Sequence, residues 1–259
     1  MIFTKPNELN QKSTLSADAR FGILGPDPDA PRLDPVTQTG DGHRFLNAVF
    51  RVVVSEDGEA PWHNAGTAWT NSKNRLVTAA HVAELFDRFQ YIRLIPSNPK
   101  GQILGVYKLN QEFSFRLHNA WTEGKKYYEA DIAVIEFNSE LFEYGLSIYT
   151  LTHRAWRRRK KDNLFVVGGG STTGNVLLAR GKYYNYSGRN GRLFYTVNTI
   201  SGMSGGPATI ISRHGLDVVS GMHLGFSAVP YRRLNKNHAM RFIPYSLRGV
   251  GLSSTGTER

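Results

Sequence analysis

The stretch "TISGMSGGPA" (199–208) sets Ser204 behind Gly202 and Met203 and ahead of Gly205, Gly206 and Pro207. Such a segment is either an ordinary Gly-rich turn or the shaped mount of a nucleophile. A serine hydroxyl attacks only when a base lies within hydrogen-bond reach and a third group orients that base. The reading of Ser204 therefore turns on what the rest of the chain can supply. With no cysteine in 259 residues, a thiol nucleophile, a disulfide and Cys-ligated zinc are excluded.

Two other segments answer the need. "LVTAAHVAELF" (76–86) reads as a strand, two alanines, then His81 as a short helix begins, and "YEADIAVIEF" (128–137) puts Asp131 directly before an apolar strand. Alone, each is an unremarkable structural pattern. Together they supply an imidazole to take the serine proton and a carboxylate to hold the other ring nitrogen. Gly202 and Ser204 then offer two backbone N–H groups to an oxyanion. Gly205 and Gly206 are expected to keep side chains away from an approaching substrate backbone.

Short runs of β-branched, aromatic and aliphatic residues fill the chain from Arg44 on, among them "FLNAVFRVVV" (45–54), "NLFVVGG" (163–169) and "VVSGMHLGF" (218–226). Turn signals such as "EDGE" (56–59) separate them, which predicts an all-β architecture. One helix is expected over 79–89, with Val82, Leu85 and Phe86 on a shared face. Residues 1–43, with "GPDPDAPRLDP" (25–35), form an irregular arm too rich in proline for a regular element. The segment 151–162, containing "RAWRRRKK" (154–161), divides the body into units at 44–150 and 163–247, and 248–259 is a tail.

In order and setting, "TAAH", "DIAV" and "GMSGGP" resemble the chymotrypsin-like serine proteases. The intervals of 50 residues from His81 to Asp131 and 73 to Ser204 suit the compact branch. That branch holds the glutamyl endopeptidases, the high-temperature-requirement proteases and the viral chymotrypsin-like proteases. The resemblance spans about 44–245. It implies two six-stranded antiparallel β-barrels with the active site between them, His81 and Asp131 from the first and Ser204 from the second. "GMHLG" (221–225) is similar to the Gly-x-His-x-Gly strand of the glutamyl endopeptidases and picornavirus-like proteases, which implies an S1 pocket holding Thr199 and His223. Both side chains can donate to a carboxyl or amide oxygen, so Glu or Gln is expected before the cut. Leu224, Gly225 and Phe226 would be the strand that pairs with substrate main chain, and Phe226 replaces a residue that is often glycine in relatives. In the trypsin branch an aspartate at position 203 receives the freed N-terminal ammonium. Met203 cannot, so that activation is not expected.

Lys and Arg exceed Asp and Glu by 32 − 21 = 11. Such a charge favours acidic partners, and Arg157, Arg158, Arg159, Lys160 and Lys161 are candidate nucleic-acid contacts. A nucleic-acid-binding or scaffold protein on the same fold is the alternative to a protease with a peptide or protein substrate. The "VVGGGSTTGN" segment (166–175) lacks the Lys-Ser/Thr ending of a phosphate loop and reads as a hairpin. His238 reads as structural, and no cofactor or metal is expected. The absence of a signal-peptide pattern and of a long apolar run gives an intracellular expectation.

Overall fold

Several strands of this protein are buried on both faces, and that accounts for their continuous apolar runs. The computed structural model describes residues 33–35, 45–96, 104–125, 127–152, 155, 163–170, 176–187, 192–195, 197, 199–211, 217–229 and 234–258. After β1 (Leu33–Pro35) come β2 (Val49–Ser55), β3 (His63–Ser72), β4 (Arg75–Thr78), β5 (Tyr91–Pro96), β6 (Val106–Lys108), β7 (Phe113–Leu117) and β8 (Ala133–Phe137). Strands β2 to β8 make one antiparallel sheet in the order β6-β5-β2-β3-β4-β8-β7. Next are β9 (Tyr149–Leu151), β10 (Asn163–Gly169), β11 (Val176–Ser187), β12 (Arg192–Tyr195), β13 (Pro207–Ile211), β14 (Asp217–Val229), β15 (Leu234–Arg241) and β16 (Gly256–Glu258). The second sheet runs β11-β10-β13-β14-β15-β12 and is closed by a β11–β12 pairing, with β1 added outside β11.

The expected all-β double barrel is therefore present. The first sheet has seven strands because β6 and β7 are separate pieces on either side of the turn at Asn110 (φ 62°). Leu33–Pro35, in the proline-rich arm, pairs with Leu177–Ala179 of β11. The stretch read as a hairpin takes in the end of β10, which pairs with β11 from Gly169↔Val176, and its residues 171–175 lie outside the described residues. Strands β9 and β16 form a small parallel pair.

Alternation along single strands fills three cores. In β2, Phe50, Val52 and Val54 line the first barrel, while Val49 points to the seam. In β10, Leu164 and Val166 line the second barrel, whereas Phe165 and Val167 face the seam. Trp69, Val77, Ile132, Val134, Met222 and Met240 meet them there, so the barrels share one continuous apolar interface. Burial of this kind stabilises by about 25 cal/mol per Å² of apolar surface. It also fixes how the two halves of the site face each other.

The helix expected over 79–89 is shorter than its periodicity suggested. One α turn, Ala80–Ala83, runs into a 3-10 turn, Glu84–Asp87. The N–H groups of Arg88 and Phe89 both donate to Leu85 O, which tightens the coil and returns the chain to β5 with Phe86 and Phe89 buried. A C-terminal helix, Pro244–Arg248, docks on the first barrel through His118. The His118 ring lies 4.8 Å from that of Tyr245. Among the described residues no helix is long and apolar enough to cross a membrane.

Candidate active site

Antiparallel pairing joins residues 50 apart in sequence. Strand β4 leads toward His81 and β8 follows Asp131, and the register Thr78↔Ala133 lays the end of one beside the start of the other. Ala79 and Ala80 are fully buried on this approach. Asp131 follows the 3-10 turn Tyr128–Ala130 and is nearly buried. Its carboxylate faces the His81 ring, with Nδ1 2.8 Å from Oδ2 and 3.1 Å from Oδ1. Oδ1 also accepts the backbone N–H of His81 at 3.0 Å. The two contacts fix the ring's position and orientation together.

Ser204 sits on the turn between Tyr195 and β13. Its carbonyl accepts the N–H of Thr67 at 2.8 Å, tying it to β3 of the first barrel. A Cβ placed on Gly66 would lie 2.7 Å from Val82 Cγ2 and 2.9 Å from Ser204 O. The turn therefore abuts the residue next to His81. The Ser204 hydroxyl donates to Leu224 O at 3.3 Å. That carbonyl lies at a β-bulge where the β14–β15 register slips between His223 and Gly225.

The N–H groups of the turn are unequally committed. Met203 N donates to Ile200 O, Gly205 N to His223 O and Gly206 N to Met203 O. Among the described residues, the N–H groups of Gly202 (φ 93°) and Ser204 have no backbone acceptor. These are the two donors named from the sequence for an oxyanion.

Gly205 and Gly206 are packed against the protein's own backbone. A Cβ on Gly205 would run into Thr67 O, and one on Gly206 into Val167 O. That backbone excludes side chains there. Met203 is fully buried among the apolar residues of the second barrel, next to Ile200.

Sequence reasoning missed Thr67, which binds this turn to both barrels. Its hydroxyl donates to Gly202 O and accepts from Gly169 N, both at 2.8 Å, while its carbonyl accepts from Thr78 Oγ1 at 2.7 Å. Thr67→Val keeps the shape but leaves Gly202 O and Gly169 N without this partner. We expect a stability loss of about 1–3 kcal/mol, with Thr67→Ser close to wild type in a urea melt. Equal stability of the valine variant would remove Thr67 from this role.

His223 is buried on β14, its N–H donating to Gly206 O. Its Nδ1 is hydrogen-bonded to the hydroxyl of Tyr195. Tyr195 is fully buried, which pushes its phenol well above the ordinary value and keeps it protonated. A protonated phenol can donate to Nδ1, and in that tautomer the ring proton sits on Nε2. Nothing local in "RLFYTVNT" (192–199) announces Tyr195 as the partner of His223. Thr199 is partly exposed on the segment entering the turn.

Strand β13 pairs with β14 only as far as Pro207↔Met222. Among the described residues, Leu224, Gly225 and Phe226 thus have no strand partner on the β13 side next to Ser204, while β15 pairs Gly225 and Phe226 on the other side. His238 lies on β15 opposite Gly225. Arg157, Arg158, Arg159, Lys160 and Lys161 lie outside the described residues.

No protein-family model matches this chain, and no characterised protein sequence is significantly similar to it. One similar solved structure is a Glu endopeptidase in complex with MPD, 15% identical with a TM-score of 0.53, covering 79% of this chain and 88% of that one. At that identity the likeness speaks for the path of the backbone alone, and the fold of this protein is the chymotrypsin-like double β-barrel.

Proposed function

We propose that the protein is a serine endopeptidase in which Ser204 attacks a peptide carbonyl, His81 takes the hydroxyl proton and Asp131 holds the imidazole. The observation that carries this reading is the turn 202–206. It is seated against the strand end bearing the His81–Asp131 pair, and the N–H groups of Gly202 and Ser204 are left without backbone acceptors. In the reaction the hydroxyl leaves Leu224 O for Nε2 of His81, and the two N–H groups receive the oxyanion. His81 then returns the proton to the leaving amine, and water hydrolyses the acyl-enzyme. The unpaired side of β14 at Leu224–Phe226 supports binding of an extended peptide as an added strand. A fully buried Met203 provides no carboxylate for an activating ammonium, so activity is independent of such an ion pair.

For the residue before the cut, Thr199 and His223 supply the donors. Tyr195 supports a neutral His223 that donates from Nε2. A neutral donor takes an amide oxygen without the cost of burying a carboxylate that lacks a counter-charge. The pocket should therefore accept Glu or Gln, with Gln preferred.

The test is to map cleavage sites by mass spectrometry in a denatured proteome, with the Ser204→Ala protein as control. Cuts concentrated after Gln and Glu are expected, and cuts after Lys, Arg or large aromatics would overturn the pocket assignment. Tyr195→Phe removes the phenol and leaves Nδ1 able to take a proton. The Gln-to-Glu ratio of kcat/KM should fall about tenfold at mildly acid pH, where an imidazolium forms and attracts carboxylate. An unchanged ratio would show that Tyr195 does not set the charge of the pocket.

A further inference from the structure

Arg192 is a partly buried cation for which the proposed chemistry has no use. It opens β12, and the registers Arg192↔Met240 and Met222↔Met240 put these three residues on one face of the second barrel. Met222 and Met240 belong to the apolar seam between the barrels, so Arg192 also points toward the first barrel. Its guanidinium carbon lies 2.9 Å from the centre of the Tyr128 ring. Tyr128 begins the 3-10 turn that leads into Asp131, so this cation is packed on the turn that carries the partner of His81.

Among the described residues no carboxylate pairs with Arg192, and its buried Nε has no hydrogen-bond partner. Arg75 shows the usual arrangement, its guanidinium held by Glu136 at 3.0 and 2.6 Å. Burial lowers the pKa of Arg192 to about 10, still charged at neutral pH. The same sheet face continues through Phe194↔His238 and Gly225↔His238, and Gly225 contributes no side chain there. Arg192 and Phe194 thus lie on the sheet face next to the open stretch of β14, with Tyr128 packed on Arg192.

We propose that Arg192 is the cation of a substrate subsite that takes the carboxylate of an Asp or Glu upstream of the scissile bond. The inference rests on the proteolytic reading of Ser204. A peptide laid along Leu224–Phe226 runs past this face, and a planar guanidinium stacked on a ring still presents N–H donors at its edge to a carboxylate. Discrimination comes from charge: an Asn or Gln in the same place offers one neutral acceptor and no counter-charge.

The experiment compares kcat/KM of the full chain on peptide pairs with a fixed residue before the cut. Each pair differs only by Asp for Asn or Glu for Gln at one of the four preceding positions. One position should favour the acid about tenfold, the effect of a charged hydrogen bond. Arg192→Gln should bring the ratio to parity, and Arg192→Glu should make lysine preferred there. Wild-type cleavage without acid preference at any position overturns the proposal, as does a preference that survives in Arg192→Gln. Failure of the wild type to cut any peptide instead removes the Ser204 reading, and this one with it. If the variants do not fold, the wild-type acid preference is measured from low to high salt. It must shrink as screening grows, and a salt-insensitive preference overturns the subsite.

Discussion

Ser204→Ala should lower kcat by about 10⁶-fold while the protein stays folded. The magnitude follows from the division of labour in the site. Without Oγ there is no acyl-enzyme, and His81 and Asp131 have no proton to move. What remains is substrate binding and the donors of Gly202 and Ser204, which survive because they belong to the backbone. The fold should be little affected. Ser204 is tied to the first barrel through its carbonyl and Thr67 N, and the hydroxyl gives up only a 3.3 Å bond to Leu224 O. A loss below about 1 kcal/mol is expected in a denaturant melt. Kinetics and melt together are decisive: a folded Ser204→Ala protein that still cleaves peptides would end the proposal.

Asp131→Asn should lower kcat by about 10⁴-fold, and the cause is a tautomer rather than a lost contact. The carboxylate oxygens accept from both the backbone N–H and Nδ1 of His81. An asparagine can keep the backbone bond with its carbonyl oxygen, but its amide NH₂ then faces Nδ1. The imidazole must accept there and carry its proton on Nε2, where the base needs a free lone pair. The imidazolium that forms during attack also loses its counter-charge. Activity should recover in part at high pH as hydroxide substitutes for the base, so a kcat–pH profile separates this cause from unfolding. A variant with unchanged kcat at neutral pH would show that Asp131 does not orient His81 for catalysis.

Much of this architecture could be read from local pattern. Runs such as "DIAVIEF" are apolar on both faces because one face fills a barrel and the other the seam, and that demand is written residue by residue. The pairing of His81 with Asp131 was likewise legible, since each stands in a short recognisable setting. The helix over 79–89 was overextended because periodicity registers which residues are buried and not where the chain must turn back. Phe86 and Phe89 satisfy a helical pattern, yet bonds to Leu85 O close it early. Gly205 and Gly206 were recognised as necessary, but the backbone that forbids their side chains belongs to Thr67 and Val167.

The sequence alone determined the residue types of the candidate site, their order along the chain and the all-β class, because apolar alternation and turn chemistry act over a few residues. The double barrel was implied by the resemblance. Only the tertiary structure decided the partners: Tyr195 for His223, Thr67 for the turn around Gly202, and Tyr128 beneath Arg192. Each of these pairs is joined by strand register or by packing across the seam. Such contacts depend on the summed fit of two barrels, and no local spacing encodes them.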